Sequence, residues 1–174
     1  MFRAKLSVVS ALSAAGFAVL LAGCSTTEVD KTVGWSPNKI YAEAKDEMSS
    51  GAFDKAVPLF EKLEGRAAGT PLAQQAQLDK AYAQYKNNEQ VQAIATLDRF
   101  IKLHPASPAL DYALYLKGLV SFNDNLGLLS GLSRQDLSER DQKAAQDSFE
   151  AFRELTTRFP ESKYSADARQ RMTY

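Results

Sequence analysis

Cysteine and histidine are nearly absent from this sequence. The 174 residues include one cysteine, Cys24, and one histidine, His104. A single cysteine excludes a disulfide framework within the chain. One histidine without a second cysteine gives no Cys-His or metal cluster, so we expect no metal site and no cofactor.

Other chemical signals are missing as well. The 21 basic and 21 acidic residues balance, which leaves no excess of positive charge for phosphates, so we expect no nucleic-acid partner. No glycine-rich phosphate loop occurs, and the acidic residues are scattered as on solvated helix faces. His104 stands in "KLHPASP" at the predicted end of a helix, where the dipole favours it. We therefore predict that the protein is not an enzyme.

The N-terminus has the layout of a secretory signal. Arg3 and Lys5 precede an uncharged, mostly apolar run over residues 6–22, and small residues follow. A permanent membrane helix is the alternative, but this run is diluted by serine and glycine and lies at the lower limit of what spans a bilayer. We predict that residues 1–23 are a signal peptide.

The residues around Cys24 sharpen this prediction. The sequence "LAGC", residues 21–24, resembles the bacterial lipobox, in which the cysteine is acylated and the chain is cut just before it. Several acyl chains hold a protein firmly on a membrane, whereas one gives only marginal binding. Ser25, where an aspartate would suggest retention at the inner membrane, favours the outer membrane. The resemblance therefore implies a lipid anchor at Cys24.

Residues 24–37 are polar, contain glycine and proline, and show no helical period, so we interpret them as a lipidated tether. Trp35 within the tether has two possible roles. It either docks on the first helix or contacts a partner, and docking is favoured.

A period of 37 residues runs through the rest of the chain. Ala44, Ala81 and Gly118 are spaced by this interval in apolar, helix-like runs. Ala56 and Ala93 repeat it in the runs that follow, as do Phe60 and Leu97. Small residues let two antiparallel helices approach closely, and a large residue four positions later fills the space beside them. Each unit is thus predicted to be a helical hairpin.

These marks resemble the tetratricopeptide repeat, and Pro105 stands where that motif has its proline. The predicted fold is all-α, a solenoid of helical hairpins with about three repeats and the start of a fourth. The repeat domain covers residues 38–174. Its units are about 38–73, 74–109, 110–163 and a partial unit 164–174.

The third unit is longer than the others. Leu97 precedes Pro105 by eight residues and Phe152 precedes Pro160 by eight, so the spacing between units grows from 37 to 55. We place the additional 18 residues at about 124–141, between the two helices of the unit. Inserts in repeat proteins are often binding elements, although a tolerated surface loop is equally compatible with the sequence.

The lipobox, the repeats, the insert and the phrases "YALYLKGLVSF", "LDRFIKLHP" and "RFPESKYSADARQR" together resemble the BamD family, the lipoproteins of the outer-membrane β-barrel assembly machine. The resemblance implies a lipid-anchored scaffold on the periplasmic face of the cell outer membrane. Its implied partners are BamA, other assembly-complex lipoproteins and unfolded β-barrel proteins. It also implies further repeats, so we expect this chain to lack a C-terminal portion. A pilotin-like or cell-envelope structural lipoprotein is the alternative.

The first helices of such repeats line a groove. Positions 2, 5, 9, 12 and 13 of each unit are predicted to face it, and five of the seven tyrosines fall on them. Tyrosine suits an extended peptide because it combines a broad apolar ring with a hydroxyl, although packing between helices is the other possible role. The predicted positions are Asn38, Tyr41, Lys45, Met48, Ser49, Gln75, Leu78, Tyr82, Tyr85, Lys86, Tyr112, Tyr115, Leu119, Phe122 and Asn123.

Overall fold

A computed structural model describes residues 30–122 and 137–173, and all regular structure in these ranges is helical. The described helices are α1 (Pro37–Ser49), α2 (Phe53–Arg66), α3 (Pro71–Lys86), α4 (Gln90–Leu103), α5 (Leu110–Ser121), α6 (Leu137–Arg158) and α7 (Ser165–Arg171). The all-α, tetratricopeptide-like prediction is therefore confirmed. None of these helices is both long and apolar enough to cross a membrane.

The chain divides into two compact parts, Met1–Val33 and Gly34–Tyr174. Only residues 30–33 of the first part are described, and there the Asp30 carboxylate accepts hydrogen bonds from the backbone and hydroxyl of Thr32, at 2.9 and 2.7 Å. Cys24 and the rest of residues 24–29 of the predicted tether lie outside the described residues. In the second part, Trp35 packs against the core beside α1, and the Lys39 ammonium lies 4.3 Å from its ring centroid. Trp35 therefore docks on its own domain.

Helix starts follow the local sequence where a cap and a proline coincide. The Ser36 hydroxyl accepts a hydrogen bond from the Lys39 amide at the start of α1, and the Thr70 hydroxyl accepts one from the Ala73 amide at the start of α3. A proline follows each cap directly, where its missing N–H is tolerated. The first helices of units one and two are thus specified locally.

The turns inside the hairpins obey the 37-residue period. Gly51 between α1 and α2 has a φ of 82°, and Asn88 between α3 and α4 has a φ of 62°. The two residues are one repeat apart. Asparagine is one of the few residues other than glycine that adopts this left-handed conformation readily, so both turns have the same backbone geometry.

Consecutive helices pack against one another along the chain, and α3 also contacts α5. The small residues of the repeat, Ala44, Ala81 and Gly118, are all buried. The large residues that follow them, Phe60, Leu97 and Phe152, are buried too and belong to three successive hydrophobic clusters. The core is therefore a series of similar layers, one for each hairpin.

One side-chain hydrogen bond also recurs with the spacing of the repeat. The Ser107 hydroxyl donates to the Gln74 side chain over 3.2 Å, and the Ser162 hydroxyl donates to the Asp111 carboxylate over 2.6 Å. The serines are 55 residues apart and their acceptors are 37 apart. The extra residues of unit three therefore lie between an acceptor and its serine, after Asp111 and before Ser162.

The C-terminal end of the predicted insert is helical rather than a loop. Helix α6 begins at Leu137, so five residues of the predicted insert 124–141 are helical, while residues 123–136 lie outside the described part of the chain. The sequence from 137 to 158 contains neither glycine nor proline. Without these helix breakers the second helix of unit three extends toward the N-terminus, and the repeat offset alone did not reveal this.

Candidate peptide-binding face

The side chains predicted to face a groove project from α1, α3 and α5, and we call the surface that they form with Asp167 and Tyr164 the first-helix face. The tyrosines at positions 41, 82, 85, 112 and 115 are all half-buried, as is Lys45, while Asn38 and Gln75 are exposed. Asn123 lies outside the described residues. Part of each tyrosine side chain therefore packs against neighbouring residues and part stays accessible.

One predicted position is wrong. Leu78 is 1% exposed and belongs to the second hydrophobic cluster. Its neighbour Asp79 instead meets side chains of α1. A step of one residue turns a helix by about 100°, so Leu78 faces the core while Asp79 beside it meets α1.

Asp79 forms the first of two similar constellations. The Tyr41 hydroxyl donates a hydrogen bond to Asp79 Oδ2 over 2.9 Å, and Lys45 Nζ lies 3.4 Å from Asp79 Oδ1. Asp79 is 8% exposed. Burial, the hydrogen bond to Asp79 and its negative charge raise the pKa of Tyr41 to about 12, so the hydroxyl keeps its proton at neutral pH.

The second constellation joins α5 to α7. The Tyr115 hydroxyl donates to Asp167 Oδ2 over 2.7 Å, and Arg171 Nε donates to the same oxygen over 2.6 Å. The hydrogen bonds from Arg171 and Tyr115 lower the pKa of Asp167, which therefore stays ionised. Burial and the hydrogen bond to Asp167 raise the pKa of Tyr115.

Tyr112 connects the two constellations. Burial raises its pKa most, followed by the charge of Asp79 and then by the hydroxyls of Tyr164, Tyr82 and Tyr115. Its ring centroid is 5.5 Å from that of Tyr164, which stacks on Tyr115 at 4.8 Å and 19°. Tyr112 and Tyr115 of α5 are therefore joined through the ring of Tyr164, which directly precedes α7.

Sequence reasoning missed three members of this face: Asp79, Asp167 and Tyr164. The signal for Asp79 was present, because a lone acidic residue stands in an otherwise uncharged first half of α3, "PLAQQAQLD". Asp167 and Tyr164 belong to the partial fourth unit. The 55-residue offset aligns this unit with unit three, but no other unit shares that offset, so nothing else supported the alignment.

No competing chemistry stands out in the described residues. His104 follows the last residue of α4, and its ring packs 5.0 Å from the centroid of Phe100, consistent with a helix-terminal role. Residues 30–122 and 137–173 contain no group of three or more histidine, cysteine or acidic side chains that could hold a metal ion.

The helical hairpins and their tyrosine-lined face define a repeat protein of the tetratricopeptide class. The model of the outer membrane lipoprotein family YfiO matches residues 34–174, and the chain belongs to this family. The resemblance to BamD-type lipoproteins seen in the sequence is thereby confirmed.

Curated relatives agree with this assignment. A protein of Neisseria meningitidis serogroup B is 51% identical over 157 residues, which cover 87% of this chain and 59% of the relative. One from Vibrio cholerae is 33% identical over 153 residues, covering 88% of this chain and 63% of the relative. Both are named outer membrane protein assembly factor BamD. The chain thus spans about three fifths of the length of these relatives.

Proposed function

We propose that this chain is the substrate-binding repeat module of an outer membrane protein assembly factor, with unfolded β-barrel proteins as its ligands. Acylation of Cys24 holds it at the periplasmic face of the outer membrane. It works as a scaffold rather than as an enzyme, beside BamA and other assembly-complex lipoproteins. The family and the names of its relatives support the assembly role.

The ligand assignment rests on the half-buried tyrosines that occur on three successive first helices, α1, α3 and α5. Strands of membrane barrels alternate apolar and polar side chains, so an unfolded barrel protein presents both kinds along one extended segment. A tyrosine offers apolar contact and a hydrogen-bonding group together, and its two side-chain torsions cost little entropy when it is fixed. The first-helix face therefore suits such segments without requiring one particular sequence.

The direct test is binding of a urea-unfolded barrel protein, diluted into the full chain and followed by fluorescence anisotropy. Tyr82→Ala combined with Tyr85→Ala removes two rings from this face. We expect binding at least about tenfold weaker, as for aromatic residues central to an interface. Equal affinity in a double variant with an unchanged circular dichroism spectrum would overturn the proposal.

A matched control removes apolar surface elsewhere. Val91 and Leu103 lie on α4, a second helix, and are 73% and 60% exposed. Val91→Ala combined with Leu103→Ala should leave binding of the unfolded barrel protein unchanged. If this variant weakens binding as much as the tyrosine pair, the ligand is held by general hydrophobicity and not by the first-helix face.

Co-purification from detergent-solubilised membranes tests the assembly role separately. Recovery of BamA with the chain supports the proposal. Recovery of a secretin instead supports the pilotin-like alternative. The binding assay and the co-purification therefore report on the ligand and on the assembly independently.

A further inference from the structure

The two constellations on the first-helix face share one design. In each, a tyrosine from position 5 of a unit donates its proton to a carboxylate on the first helix of the next unit, and a cationic side chain contacts that carboxylate. The members are Tyr41, Asp79 and Lys45 in one case, and Tyr115, Asp167 and Arg171 in the other. Tyr41 and Tyr115 are two repeats of 37 residues apart.

This design fixes what the tyrosine hydroxyls can offer a ligand. A phenol has one proton and two acceptor lone pairs, and an ionised carboxylate can only accept. Because the hydroxyl protons of Tyr41 and Tyr115 are each engaged in a hydrogen bond to a carboxylate, both hydroxyls retain only acceptor capacity toward a ligand. Their oxygens also become better acceptors, since hydrogen bonds in a chain polarise one another.

Resting on the function proposed above, we propose that Tyr41 and Tyr115 are specificity-determining residues that accept hydrogen bonds from backbone amide N–H groups of the bound chain. Every residue except proline carries such a donor, so this contact reads an extended backbone whatever its side chains are. The rings of Tyr112 and Tyr164, which contact each other on the same face, meet apolar side chains of the bound chain. Asp79 and Asp167 act as positioning residues, because they hold the hydroxyl protons away from the ligand.

The charges around the two tyrosine hydroxyls are compatible with a ligand that offers hydrogen-bond donors. Each carboxylate is balanced by one cation, so neither constellation has a net positive charge that would attract a carboxylate ligand. A partner that presents acceptors gains no hydrogen bond from these tyrosine oxygens. A backbone N–H donor meets a lone pair of Tyr41, and at Tyr115 it shares the oxygen with the Arg171 guanidinium.

The test uses two synthetic peptides with the alternating aromatic and polar sequence of a barrel strand. The second peptide is N-methylated at alternate amides, which removes donors and keeps the side chains. We expect the full chain to bind the unmethylated peptide about tenfold more tightly. In the Tyr41→Phe, Tyr115→Phe double variant, which keeps both rings, this preference should fall to about threefold or less, as expected for lost hydrogen bonds.

Because the result is a ratio of two affinities for one protein, a partial loss of folded variant affects both peptides equally. Tyr85→Phe is the matched control, since it removes a hydroxyl from the same face outside the two constellations, and it should keep the full preference. An unchanged preference in the double variant would overturn the inference.

The remaining outcomes are also decisive. If the unmodified chain binds both peptides equally well, the inference fails while the proposed function stands. If it binds neither, the proposed function fails and the inference fails with it. Loss of the preference in Tyr85→Phe as well would show that hydroxyls act collectively, which also overturns the assignment to Tyr41 and Tyr115.

Discussion

Gly118 on α5 and Phe152 on α6 are in such close contact that no larger residue fits at position 118. A Cβ atom added to Gly118 would lie 2.4 Å from Cε1 of the phenylalanine ring. The Ser148 hydroxyl donates to the Gly118 carbonyl over 2.9 Å and joins the same two helices. The third hairpin is thus closed by a contact that needs a hydrogen at this position.

Gly118→Ala should destabilise the protein by about 1–3 kcal/mol, because the ring or the helix must move to admit a methyl group. Gly65→Ala is the control. Gly65 lies within α2 with nothing near the position of its Cβ, so alanine should raise the free energy of unfolding by about 0.5–1 kcal/mol there. Urea unfolding measures both changes. A Gly118→Ala variant as stable as Gly65→Ala would contradict this packing.

The repeat itself suggests a rescue. Unit two has alanine and leucine, Ala81 and Leu97, where unit three has glycine and phenylalanine. Combining Gly118→Ala with Phe152→Leu should therefore cost less stability than the sum of the two single changes, and a double-mutant cycle measures the difference. Strict additivity would show that the two side chains are not coupled.

A second prediction concerns a buried ion pair. Lys80 Nζ on α3 lies 2.6 Å from Glu64 Oε1 on α2, and the lysine side chain is only 7% exposed. Glu64→Gln leaves this ammonium buried with only a distant carboxylate, that of Glu61 at 3.9 Å, and should cost about 3 kcal/mol. Lys80→Met removes the buried charge and should be nearly neutral.

Arg99 provides the control for this network. Its guanidinium lies 2.6 Å from the other oxygen of Glu64, but its side chain is 51% exposed. Exposed pairs contribute little, so Arg99→Gln should change the free energy of unfolding by less than about 1 kcal/mol. Thermal or urea unfolding ranks the three variants. If Glu64→Gln were no worse than Arg99→Gln, Lys80 would not depend on Glu64.

A third prediction follows from the pKa of Tyr41, which rises from 10.0 to about 12 in the folded protein. Folding thus disfavours the phenolate. The contribution of Tyr41 to stability is complete below pH 10 and is lost as the pH rises through about 12. Tyr41→Phe has no such group, so it should lose less stability than the unmodified chain across this interval, measured by urea unfolding at each pH.

Asp79→Asn separates the causes of that shift. It removes the charge and alters the hydrogen bond but leaves the burial, which is the largest cause. The pKa of Tyr41 should therefore move only part of the way back toward 10.0, and the difference in tyrosinate absorbance between variants with and without Tyr41 measures it. An unchanged pKa would exclude Asp79 as a contributor.

The proposed lipid anchor gives a fourth prediction. Cys24→Ser should abolish acylation and release the chain from the membrane fraction in cells depleted of BamA, while circular dichroism of the repeats stays unchanged. Ser25→Ala is the control and should remain with the membranes. Continued membrane fractionation of Cys24→Ser under these conditions would contradict the anchor.

Much of the fold was predictable because its determinants repeat. Ala44, Ala81 and Gly118 recur at one interval, and each copy confirms the phase of the others. The half-burial of the tyrosines was less accessible, since periodicity places a residue on a helix face but does not say how deeply the neighbouring helix covers it. Leu78 shows the limit, because it is buried in the core while the adjacent Asp79 meets Tyr41 of α1.

The sequence by itself determined the helical hairpins, their order and their packing layers, because caps, turns and the spacing of small and large residues act over short distances along the chain. Only the tertiary structure decided which groups meet across hairpins. Tyr41 and Asp79 are 38 residues apart and Tyr115 and Asp167 are 52 apart. Such pairs depend on the rotation and displacement of whole helices. Helix packing sets these quantities collectively, and no local pattern encodes them.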